Sequence, residues 1–130
     1  MKTILLLVFL INSLFSYQLD WTHNYEKALR VAKKENREIY LFIGADNCRF
    51  CKNFKEKTLS KKDVKDKLDK DFIVVYLSRD EDLIPEEFEA RGVPRHYFIK
   101  PNGELDDEDI GFIAPDMFLK LLNEISFFRE

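Results

Sequence analysis

Two cysteines, separated by two residues and set just behind an apolar run, constrain this 130-residue chain more than any other feature. Both cysteines of the chain lie in Asp46-Asn47-Cys48-Arg49-Phe50-Cys51-Lys52. The run before them, Ile39-Tyr40-Leu41-Phe42-Ile43, is uninterrupted by polar residues and reads as a strand covered on both faces. Gly44-Ala45-Asp46-Asn47 breaks it, and a lysine-rich, helical run continues to Lys57. A C-x-x-C alone suits a redox dithiol, half of a zinc site or part of a haem attachment sequence. The strand-turn-helix context puts Cys48 where unpaired backbone N–H groups and the positive end of the helix dipole favour a thiolate. Disulfide exchange needs that arrangement. Zinc needs about four ligands, and only His23 and His96 could join the thiols, neither at a useful spacing. Haem attachment expects a histidine after the second cysteine, where Lys52 stands. A purely structural disulfide gains little, because so short a loop hardly constrains the unfolded chain. No metal and no cofactor are therefore expected.

The length suits one domain with a real core. A net charge of −3 leaves no basic footprint for nucleic acid. Lys2, the apolar residues 4–11 and the polar Asn12, Ser13 and Ser16 have the layout of a secretory signal. The run falls short of the roughly 20 apolar residues of a spanning helix, so no stable membrane insertion is expected. The expectation is a signal peptide over 1–16, cut after Ser16, and a domain over 17–130. The mature chain would be periplasmic or secreted, in an oxidising compartment.

Along the chain, Leu19-Asp20-Trp21 reads as a short strand or lead-in. Tyr25, Ala28, Leu29 and Ala32 recur at helical steps. Phe50 and Phe54, at i,i+4 in the cysteine helix, are expected to face the sheet. Ser60 with Asp63 resembles a capping box opening a short helix from Lys61 to about Leu68. Residues 72–77 form a second apolar strand, and Pro85 is placed to start a helix running to Gly92. A strand over 95–99, the turn Pro101-Asn102-Gly103 and a heavily acidic return strand over 104–110 make a hairpin, the last strand being an edge. A final helix opens at Pro115, with Phe118, Leu119, Leu122, Ile125 and Phe128 on its apolar stripe. The order predicts an α/β fold: a central mixed sheet with an antiparallel C-terminal hairpin and helices on both faces.

With these residues in place the chain resembles the thioredoxin-like superfamily, and within it the periplasmic thioredoxin-related proteins whose long first helix directly precedes the C-x-x-C strand. The resemblance is carried by Trp21 with Ala28, by 39–43, and by Cys48-Arg49-Phe50-Cys51-Lys52. It continues through Gly92-Val93-Pro94, Asn102-Gly103, and Gly111-Phe112 before Pro115-Asp116-Met117-Phe118. It implies a thioredoxin-like fold, a cis Pro94 against the cysteine pair, and a Val93 backbone that pairs with an extended substrate. Three departures stand out. Relative to thioredoxins proper, Asn47 replaces a tryptophan, Phe42 replaces a buried aspartate, and Arg49-Phe50 replaces Gly-Pro between the cysteines.

The reading is a thiol:disulfide oxidoreductase working through a Cys48–Cys51 redox disulfide. Cys48, the more exposed sulfur, attacks a substrate disulfide, and the more buried Cys51 resolves the mixed disulfide. Arg49 and Lys52 stabilise the Cys48 thiolate, opposed by Asp46. His96, two residues past Pro94, is either a proton acceptor for Cys51 or a hydrogen-bonded core histidine. Arg95 is either a substrate contact or an exposed strand end. The expected partners are a disulfide-containing protein substrate and a membrane thiol electron donor, with the chain itself a monomer. A reductase is the reading adopted; a disulfide oxidase or isomerase, or a non-catalytic binding module with a static disulfide, are the alternatives.

Overall fold

The fold is given by a computed structural model that describes residues 18–127. The expected signal over 1–16 and Phe128 of the last helix lie outside the described residues. The element order is α1 (Tyr25–Glu35), β1 (Glu38–Gly44), α2 (Arg49–Lys57), α3 (Lys62–Asp71), β2 (Phe72–Ser78), β3 (Arg95–Ile99), β4 (Leu105–Ile110) and α4 (Pro115–Phe127). The sheet order is β2-β1-β3-β4. β1 pairs parallel with β2 and antiparallel with β3, and β4 closes the hairpin antiparallel to β3. This is the expected mixed sheet. No described helix is long and apolar enough to cross a membrane.

The strand period of two sorts the core into layers. Tyr40, Phe42, Phe72, Val74 and Phe98 face one side, against Cys51 and Phe54 of α2, Val64 and Leu68 of α3, and Phe118, Leu122 and Ile125 of α4. Ile39, Leu41, Ile43, Val75, Leu77, Tyr97 and Ile99 face the other, against Tyr25, Ala28 and Ala32 of α1 and Phe88. Every residue of β1 is buried, as its unbroken apolar run requires of a central strand. Asn24 caps α1 by accepting the Lys27 amide at 3.0 Å, an interaction typically worth about 1 kcal/mol.

Three local expectations are corrected. The segment after Pro85 forms one turn and not a helix. Its backbone groups are taken by side chains instead: Glu89 accepts the Ala90 and Arg91 amides, and Arg79 donates to the Ala90 and Arg91 carbonyls. Ser60 does not cap α3. Its hydroxyl donates back to the Glu56 carbonyl, and the cap position falls to Lys61 without a side-chain bond. Phe50 does not face the sheet. With Cys48 as the N-cap, the inward face of α2 is Cys51 and Phe54 at i,i+3, which turns Phe50 outward to 58% exposure.

Candidate active site

The site is built at the end of β1. Gly44 closes the strand against Tyr76, whose hydroxyl would lie 2.9 Å from any added Cβ, so only glycine lets the chain turn off the sheet here unshifted. The following loop is pinned to the end of β2. Asp46 donates its amide to Asp80 at 2.8 Å and accepts the Ser78 hydroxyl at 3.2 Å. Asp82 in turn accepts the Ser78 amide at 2.7 Å. The acidic loop Asp80-Glu81-Asp82 after β2 is thus the brace of the cysteine loop. Its signal in the sequence was an aspartate-rich run after an apolar strand, which does not say what the carboxylates bind.

Cys48 is the N-cap of α2, and its Sγ accepts the Cys51 amide at 3.1 Å. A sulfur there feels the open end of the helix, which stabilises negative charge on it. Cys48 and Cys51 form a disulfide. Cys48 is half-buried, whereas Cys51 is 1% exposed. Arg49 and Lys52 are exposed on the first turn, and among the described residues neither forms an ion pair.

Val93 packs against the same apolar cluster that Cys48 flanks, and the Val93–Pro94 bond is cis. Among the described residues, none hydrogen-bonds the Val93 backbone. The Pro94 carbonyl is engaged, accepting the Gly111 amide at 2.8 Å. Arg95 is half-buried and its Nε donates to the Gly92 carbonyl at 2.9 Å, which braces the turn before Val93.

His96 is fully buried and committed at both ring nitrogens. The Gly111 carbonyl, 2.8 Å from Nε2, can only accept, so Nε2 carries the proton. Nδ1 then accepts the Tyr40 hydroxyl at 2.7 Å. Burial pushes the imidazole down to about 4, against the upward pull of the Gly111 bond and of Asp109. The ring stacks between Tyr40 and Phe42, with Phe54 edge-on at 4.6 Å. Neither nitrogen is left to take a proton from Cys51, so the core-histidine alternative describes its geometry. Phe42 belongs to the same buried cluster as Cys51 and pairs across the sheet with Tyr76. Lys55 sits over this aromatic pair, 4.4 Å from the Tyr76 ring centre and 5.8 Å from that of Phe42. Among the described residues the one buried carboxylate, Glu38, is at the far end of β1. His23, considered above as a ligand, donates Nδ1–H to the Tyr76 backbone carbonyl at 2.9 Å. No metal-binding cluster occurs among the described residues.

Comparisons with known proteins agree with this geometry. A family model described as thioredoxin-like matches residues 20–101. Anterior gradient protein 3 of Mus musculus is 25% identical over 87 residues, covering 65% of this chain and 51% of that protein. The chain thus spans about half the length of that relative. Among solved structures, a thioredoxin from Thermus thermophilus superposes with a TM-score of 0.71 at 24% identity, over 84% of this chain and 88% of its own. The C-terminal domain of DsbD from Neisseria meningitidis, in its reduced form, gives 0.63 at 19% identity, over 77% and 92%.

Proposed function

The chain belongs to the thioredoxin-like family, and from that premise we propose that it works as an extracytoplasmic reductase of protein disulfides. The family and the Cys48–Cys51 disulfide make it a thiol:disulfide oxidoreductase. The observation that carries the exchange mechanism is the asymmetry of the pair: one sulfur on an open helix end, the other in the core.

The reduced Cys48 thiolate attacks one sulfur of the substrate disulfide, forming a mixed disulfide and releasing the other substrate sulfur as a thiolate. Cys51 loses its proton and attacks the Cys48 sulfur, which releases the second substrate thiolate. Two electrons have moved to the substrate, and the protein holds the Cys48–Cys51 disulfide. A dithiol donor must then reset it, and in an oxidising compartment a membrane-held thiol carrier suits that task. Arg49 and Lys52 favour the attacking thiolate by charge. The unpaired Val93 amide and carbonyl suit an extended substrate segment laid beside Cys48, with Arg95 bracing the turn that presents them. The Lys2-led apolar run supports export.

The test is capture. With Cys51→Ala the mixed disulfide cannot resolve, so the variant, expressed with its own N-terminal residues, accumulates covalent adducts with disulfide proteins. These are expected in the extracytoplasmic fraction and absent with Cys48→Ala. In the reduced wild type Cys48 is alkylated many times faster than Cys51. Equal alkylation and no adducts would leave a static disulfide; adducts only in the cytoplasm would remove the export reading alone.

A further inference from the structure

The turn between β4 and α4, residues 111–114, is held by two buried side chains from different elements. His96, at the start of β3, donates Nε2–H to the Gly111 carbonyl at 2.8 Å. Thr58, the C-cap of α2 and fully buried, donates its hydroxyl to the Ile113 carbonyl at 2.6 Å. The Gly111 amide meanwhile donates to the Pro94 carbonyl at 2.8 Å. One peptide residue is therefore gripped on both sides, by β3's first inward side chain and by the carbonyl next to Val93. Gly111 manages this with φ +91°, a conformation that disfavours any side chain.

A polar residue at 96 is not needed to fill the layer. Phe98, two residues along on the same face, does that with hydrocarbon alone. Position 96 lies opposite Phe42 of β1 and Asp109 of β4, at the cysteine end of the sheet. There its donor closes a chain from the Tyr40 hydroxyl through the imidazole to Gly111 and on to Pro94. Tyr40 and Phe42 stack on the imidazole and Phe54 meets it edge-on at 4.6 Å.

We propose that His96 is a positioning residue of the reductase: through the Gly111 peptide it sets where the Val93–Pro94 segment stands relative to Cys48. The inference rests on reading Val93–Pro94 as the docking segment for a protein disulfide. It acts on docking and leaves the sulfur chemistry alone, since His96 bonds neither cysteine. Removing the donor frees the Gly111 carbonyl from its partner, and the loop and the Pro94 carbonyl bonded to it lose their fixed position.

The experiment compares His96→Leu and His96→Gln with wild type, using insulin as the protein disulfide, cystamine as the small one and dithiothreitol as electron donor. For His96→Leu the KM for insulin is expected to rise roughly tenfold, the effect of losing about one well-placed hydrogen bond at the docking segment. The kcat, the rate on cystamine and the alkylation rate of reduced Cys48 should stay within about twofold of wild type. Glutamine carries a donor to nearly the Nε2 position, so His96→Gln should recover most of the KM. Parallel losses on insulin and cystamine, or equal behaviour of both variants, would overturn the proposal. Should His96→Leu fail to fold, the double variant Tyr40→Phe, His96→Leu decides: it also removes the Tyr40 hydroxyl that the single variant would leave unpaired, still lacks the donor to Gly111, and an unchanged KM for insulin would overturn the proposal. A wild type that reduces cystamine but not insulin sinks the reductase reading before any variant is compared, whereas an active wild type with indifferent variants sinks only the role of His96.

Discussion

Keeping a histidine neutral in the core has a thermodynamic signature. Burial holds His96 at about 4 in the folded protein, from an ordinary 6.5. Between these two values the unfolded chain binds a proton that the folded one refuses, so stability falls as pH falls through that window. In full the gap corresponds to about 3 kcal/mol, a large share of a small domain's stability. Urea unfolding midpoints of wild type should therefore drop more between about pH 7 and about pH 4.5 than those of His96→Gln. Equal drops would assign the acid sensitivity to other groups. The same residue shows how far single positions were legible. Its place two residues past Pro94, facing the cysteine side, followed from strand alternation. Its partner did not, because the Gly111 carbonyl is brought to it by a hairpin whose register no local pattern announces. Phe50 was misread for a simpler reason: i,i+4 spacing with Phe54 identified a helix face, but which face was inward depended on where the helix began.

At the level of elements, both sheet edges are closed by local hydrogen bonds, from a backbone bridge and side chains on β2 and from side chains on β4, rather than by length or proline. On β2, Thr22 exchanges backbone bonds with Val74 and Tyr76 at 3.1 and 3.0 Å. His23 donates to the Tyr76 carbonyl, Arg37 donates to the Phe72 carbonyl, and Asp82 accepts the Ser78 amide. On β4 the Gly111 amide points into the sheet, so the alternate amides of Ile110 and Glu108 point outward. They donate to the preceding carboxylates of Asp109 and Asp107, each at 2.8 Å. An open row of strand donors invites pairing with another chain; here the donors are already taken. Asp107→Ala with Asp109→Ala is expected to self-associate with rising concentration beyond wild type in sedimentation velocity. The corresponding double Asn variant keeps the acceptor oxygens without the charge and should behave like wild type. If it associates as strongly as the alanine variant, repulsion and not capping protects the edge. The acidic strand was readable as an edge from composition. The β2 cap was not, since Thr22 and His23 stand far from their partners in sequence and carry no strand pattern of their own. The turn after Pro85 was read as a helix because proline opens helices; Glu89 and Arg79 supply the competing hydrogen bonds that hold it open.

Taken whole, the molecule was the most legible. Period-two alternation, helical stripes and the cysteine pair after a buried strand lead to one sheet with helices on both faces, and the thioredoxin-like family model covers residues 20–101 of it, α1 through β3. Less legible was how tightly the two cysteines are built into the architecture that carries them. The sulfur of Cys48 is the group that caps α2, by accepting the Cys51 amide. In the proposed mechanism reduction replaces a bridged, weakly accepting sulfur with a thiolate on the same spot, which would write the last chemical event of each cycle onto a backbone proton. The Cys51 amide resonance should move downfield and its hydrogen exchange slow when the pair is reduced, with both changes lost as the pH is lowered and the thiolate takes up its proton. An amide that stays put across the redox step would mean the reduced sulfur is a neutral thiol. Where it moves, a nucleus one turn from the chemistry reports the electron count of the protein without any added label.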